Sequence, residues 1–68
     1  AATHEQIKGM VVHMENVMDD IGFFNRRNSE RLMRRMQSLF GRANTQTEDI
    51  DILRGFFNTV SHRLNKKD

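Results

Sequence analysis

The sequence predicts an all-α domain of three helices, long, short and long. Apolar residues recur at spacings of three and four in three separate segments, and no segment alternates as a strand would. Each segment carries a capping signal at one end or both. No proline interrupts any of them. The 68 residues read as one domain, residues 1–68, with helices over about residues 4–21, 29–40 and 46–64.

The first helix is expected to start at Thr3, which with Gln6 makes a capping box. Ile7, Met10, Val11, Met14, Val17, Met18 and Ile21 then repeat at threes and fours. Gly22 is the expected stop. Gly9 lies off this stripe, as a weak point costing about 1 kcal/mol against alanine. Phe23 and Phe24 follow, and two adjacent aromatics in a connection are expected to fold back over the core. Asn25, Arg26 and Arg27 complete the link.

The second helix, Asn28 to Arg42, reads as the element the rest is organised around. At about 100° per residue, Leu32, Met33, Met36, Leu39 and Phe40 share one arc, and Arg31, Arg34, Arg35 and Ser38 share another. Asn28 or Ser29 is placed to cap its start, and Gly41 to end it in the left-handed conformation. Arg31 and Arg35 are like charges one turn apart, an arrangement an isolated helix avoids. Only Glu30 is spaced to relieve this face, through Arg34. Such a face is either solvated or a surface for phosphates.

A polar link leads from Arg42 to Thr47. Thr45 with Glu48 has the spacing of a further capping box. Glu48, Asp49 and Asp51 place acid where the helix dipole favours it, and Lys66 and Lys67 complement the far end. Ile50, Leu53, Phe57, Val60 and Leu64 form the third stripe, which Ile52 and Phe56 widen to nearly half the circumference. So broad a face is expected to contact both other helices. Gly55 points away from it, either without consequence or because something packs on the backbone there. Arg54 flanks the stripe, suited to a salt bridge with an acid of the first helix or to a contact with an anionic partner.

The net charge is only +2, but it is unevenly spread. Residues 1–25 balance to −3, residues 26–42 to +5 and residues 43–68 to zero. The basic excess is all arginine: Arg26, Arg27, Arg31, Arg34, Arg35 and Arg42. Arginine suits bidentate phosphate contacts better than lysine does. These six are the candidate binding residues.

Cysteine is absent, which removes disulfides and thiolate zinc sites together. No apolar run approaches the roughly 20 residues needed to span a bilayer, and no leader resembles a signal peptide. A cytoplasmic protein without membrane contact is therefore expected. His4, His13 and His62 have no histidine partner at helical spacing, so no metal site is expected. Ser29, Ser38 and Ser61 lack a nucleophile-elbow context, and there is no glycine-rich phosphate loop. No catalytic residue and no cofactor site are assigned. The five methionines fall on core faces as gap-fillers.

The run ERLMRRMQSLFGRA, a polar link with an acidic helix start, and then DILRGFF resemble the C-terminal helical region of the TrmJ-type RNA 2′-O-methyltransferases. These belong to the TrmH-like branch of the SPOUT superfamily. The matching pieces are Gly22-Phe23 closing a long helix, Leu39, Phe40, Arg42 and Ala43 closing an arginine-rich one, and Ile52, Leu53, Arg54 and Gly55 inside the last. The resemblance spans Thr3 to about Leu64. Ser29 departs from a frequent proline, and Asp51 from a frequent asparagine, which adds a negative charge near Arg54.

The resemblance implies that this chain is the C-terminal part of a larger enzyme. That enzyme's knotted N-terminal domain binds S-adenosylmethionine, dimerises and methylates a ribose 2′-hydroxyl at the start of the tRNA anticodon loop. None of that domain's motifs occurs here. The implied partners are tRNA and the enzyme's own catalytic domain. The alternative is a protein-interaction or dimer-stabilising helical module without direct RNA contact.

Overall fold

The computed structural model describes residues 1–24 and 28–65. Among them it forms three helices, α1 (His4–Asp20), α2 (Ser29–Arg42) and α3 (Thr47–Asn65), and no strand. The all-α three-helix fold expected from periodicity is the fold observed. Arg26, Arg27, Lys66 and Lys67 lie outside the described residues.

The start of α1 is the expected capping box. The Thr3 hydroxyl accepts from the Gln6 amide at 3.1 Å, and the Gln6 side chain accepts from the Thr3 amide at 2.8 Å. Its end is a full reversal. Gly22 takes φ +76°, its amide donates to the Asp19 carbonyl at 3.1 Å, and the Phe23 amide donates to Met18 at 2.8 Å. This pair of bonds satisfies carbonyls that the helix end leaves open. The turn sends Phe24 back under the core, where it is buried, whereas Phe23 stays 41% exposed. Only one of the two phenylalanines therefore covers the core.

The organising element is α1, not α2. Ile7, Met10, Val11, Met14 and Val17 supply five of the nine buried apolar residues described, and Met10 is fully enclosed. From α2 only Met33 is buried, and from α3 Ile50 and Phe57. Both outer helices pack on α1. No α-carbon of α2 comes within 8 Å of one in α3. α3 therefore packs mainly on α1, and it approaches α2 through side chains near its start, where Phe40 lines a cleft with Asp49, Ile52 and Leu53. The five buried residues of α1 run from Val17 to Val11 over roughly 120° of arc, and a stripe that wide can serve two partners. The outer part of the α3 face stays open, with Ile52 66% and Phe56 60% exposed. Phe56 lines an apolar groove with Met14, Met18 and Ile21 of α1, whereas Ile52 lines a separate cleft with Phe40 of α2.

The link between α2 and α3 also differs from expectation. Gly41 stays helical, and α2 continues to Arg42. Asn44 takes the left-handed conformation instead, at φ +55°, a position asparagine tolerates better than most residues. Thr45 does not cap α3 with Glu48. Its side chain turns inward, is buried, and donates to the Phe40 carbonyl at 2.6 Å. Its own carbonyl accepts from the Ala2 amide at 2.9 Å. The α3 start is closed by Asp49, whose carboxylate accepts from the Gln46 amide at 2.9 Å. The hydroxyl is worth more to the half-buried Phe40 carbonyl than to an exposed helix start, because an unpaired carbonyl costs more the less water reaches it.

Candidate nucleic-acid interface

The arginine face is built by α2 alone. Asn28 starts the helix, its side-chain oxygen accepting from the Arg31 amide at 3.1 Å. Met33 then anchors one side against α1 while Leu32, Met36 and Phe40 pack beside it. That fixes the opposite side outward. Counting about 100° per residue from Arg31, the residues Arg31, Arg34, Arg35, Ser38 and Arg42 fall within roughly 100° of arc. All four arginines are exposed. Arg42 folds back along the helix and donates from Nε to the Ser38 carbonyl at 3.3 Å. Among the described residues none of the four forms an ion pair, so the expected relief of Arg34 by Glu30 is not made. The row from Arg31 to Arg42 spans roughly 16 Å at about 1.5 Å per residue. The structure thus brings together four of the six candidate arginines, and Arg26 and Arg27 lie outside the described residues.

A second polar feature was not assembled by sequence reasoning. Arg54 of α3 lies across α1 at Gly9, where an added Cβ would sit 2.8 Å from its Nη2. Its Nη1 is 3.5 Å from Nδ1 of His13. His13 in turn sets its ring edge-on to Phe57, at 5.4 Å and 74°. The expectation of a salt bridge from Arg54 to an acid of α1 is therefore corrected. Glu5, Glu15, Asp19 and Asp20 form no ion pair with it, and its α1 neighbours are a glycine and an imidazole. A glycine one helix away gave the only signal, and it needs the helix register to be read. At Gly55 nothing packs: a Cβ there would meet no atom within 4 Å, and its carbonyl accepts from the Thr59 hydroxyl at 2.9 Å.

Residues 5–68 match the family described as tRNA methyltransferase TrmJ, C-terminal domain. The chain belongs to this family. Among TrmJ relatives, the tRNA (cytidine/uridine-2′-O-)-methyltransferase TrmJ of Sodalis glossinidius (strain morsitans) is 29% identical over 58 residues. That match covers 85% of this chain and 23% of the relative. The protein of the same name from Photorhabdus laumondii subsp. laumondii is 35% identical over 54 residues, covering 79% of this chain and 22% of its own length. The chain therefore spans less than a quarter of the length of either TrmJ relative. No solved structure gives a significant match. Among the described residues of this TrmJ C-terminal domain, no group of three or more His, Asp or Glu is arranged to hold a metal ion.

Proposed function

We propose that this chain is the tRNA-binding helical extension of an S-adenosylmethionine-dependent tRNA 2′-O-ribose methyltransferase of the SPOUT superfamily. One observation carries the reading: Arg31, Arg34, Arg35 and Arg42 stand exposed on one arc of α2, with no carboxylate paired to them among the described residues. A row of unpaired guanidinium groups suits phosphate oxygens, to which each can donate two parallel hydrogen bonds. Arg26 and Arg27 are candidates for the same kind of contact by their charge. Contacts of this kind position an RNA without reading its bases. The names of the TrmJ relatives, which act on cytidine and uridine of tRNA, supply the substrate class. Methyl transfer itself, S-adenosylmethionine binding and homodimer formation fall to a catalytic domain of the parent enzyme, in the cytoplasm.

The test is a titration of this chain with labelled tRNA across salt concentrations. Affinity should fall linearly in log–log form, with a slope of about −0.7 to −0.9 per phosphate contacted. The double variant Arg34→Glu, Arg35→Glu should abolish binding while helix content is unchanged. Binding unaltered in that variant overturns the reading.

The uncovered apolar groove that Phe56 lines with Met14, Met18 and Ile21 favours a second reading, in which the domain also docks on its own catalytic domain. The TrmJ relatives are more than four times as long as the matched segment, so the same polypeptide offers a surface to cover it. This reading uses a different face and does not compete for the arginines. Phe56→Asp in the full-length enzyme should loosen the two domains, seen as faster proteolysis between them. Unchanged proteolysis would count against it.

A further inference from the structure

We propose that the cleft between α1 and α3, lined by Gly9, Val12, His13, Asn16, Arg54 and Asn58, is a nucleotide subsite that takes one unpaired residue of the bound RNA. The inference rests on the reading that this domain binds tRNA, and it adds a second site on two other helices.

The cleft has a volume of about 390 Å³, within the range of roughly 300–1,000 Å³ typical of small-ligand pockets. Its polar groups are of the kinds that meet bases and riboses. Asn16 and Asn58 are exposed and each offers two donors and an acceptor. Neither makes a side-chain hydrogen bond among the described residues. The Arg54 guanidinium lies across α1, where the missing side chain at Gly9 leaves room for Nη2 and Nη1 stands 3.5 Å from Nδ1 of His13. His13 in turn packs edge-on against the Phe57 ring. A planar guanidinium at the wall of a cleft is a stacking surface for an unstacked base and a donor to its edge.

The position connects the cleft to the arginine row. Val12, 47% exposed, lines this cleft and also the one between α1 and α2, whose walls carry Lys8 and Arg34 together with Glu15 and Glu30. A strand with a phosphate on Arg34 can cross the apolar Val12, flanked by cations and carboxylates alike, and place its next nucleotide against Arg54. The arginine row then sets position, and this cleft adds discrimination, because amide groups read base edges where phosphate contacts do not.

The test uses this chain and two variants, Asn16→Ala with Asn58→Ala, and Gly9→Ala. Each is titrated with tRNA and with a short single-stranded oligoribonucleotide at several salt concentrations. The asparagine pair should bind about tenfold more weakly, with the salt slope unchanged, since no charge is removed. Gly9→Ala, which pushes the Arg54 guanidinium off its seat, should weaken binding in the same direction. Side-chain amide resonances of Asn16 and Asn58 should shift on adding the oligoribonucleotide. Full affinity in the asparagine variant with unmoved amide signals overturns the subsite and leaves the arginine row intact. If the unsubstituted chain binds no RNA at any salt concentration, both readings fall together.

Discussion

Arg54 occupies the space that a side chain at Gly9 would fill, its Nη2 standing 2.8 Å from where that Cβ would be. The glycine is therefore not merely a tolerated weak point of α1. Two effects oppose each other on adding a methyl group. The helix gains about 1 kcal/mol of propensity, and the far end of one flexible side chain must move, which costs less. Gly9→Ala should raise the melting temperature by several degrees, given about 4–8 °C per kcal/mol for a domain of this size. A lowered melting temperature would mean that the seated guanidinium contributes more to folding than propensity does.

Thr45 gives a sharper contrast. Thr45→Val keeps the volume and removes the donor to the Phe40 carbonyl, so it should cost about 1–3 kcal/mol for the half-buried acceptor left unpaired. Glu48→Gln should cost no more than about 0.3–1 kcal/mol, the helix-dipole contribution alone, because Glu48 caps nothing. Asp49→Ala should cost about 0.5–1 kcal/mol, through the lost bond to the Gln46 amide. Urea midpoints of the three variants check the order. Equal losses at Thr45 and Glu48 would restore the capping box that the sequence suggested.

Met10 is fully enclosed and Ile52 is two-thirds exposed, although both belong to apolar stripes. Met10→Ala should cost about 2–5 kcal/mol, enough to leave a domain this small largely unfolded at room temperature. Ile52→Ala should change stability by no more than about 0.5 kcal/mol. Circular dichroism melts separate the two outcomes.

Arg31 and Arg35 set stability against binding. Like charges at this spacing destabilise a helix by about 0.2–0.5 kcal/mol. Arg35→Gln should therefore hold or slightly raise the urea midpoint, while reducing the salt slope of tRNA binding by about one unit. Loss of stability together with an unchanged slope would assign Arg35 a packing role instead.

The elements legible in the sequence were those specified locally. α1 could be bounded because its capping box, its stripe and its glycine stop all lie within the helix or two residues of it. The arginine face of α2 was legible for the same reason, since one helix builds it. What escaped depends on which segments meet. The end of α2 moved from Gly41 to Asn44 because Thr45 turned inward to serve it. The width of the α3 stripe was visible, but periodicity does not say whether a neighbour exists to cover Ile52 and Phe56. The pairing of Gly9 with Arg54 joins residues 45 positions apart and needs the register of α1 against α3.

The placing of α2 has a mechanical consequence. Its α-carbons stay more than 8 Å from those of α3, and it rests mainly on α1 through Met33, with Leu32, Met36 and Phe40 packed beside it. Its far end is tied to the following link by the Thr45 bond to the Phe40 carbonyl. The arginine row is thus a comb whose pitch is set by the helix before any partner arrives.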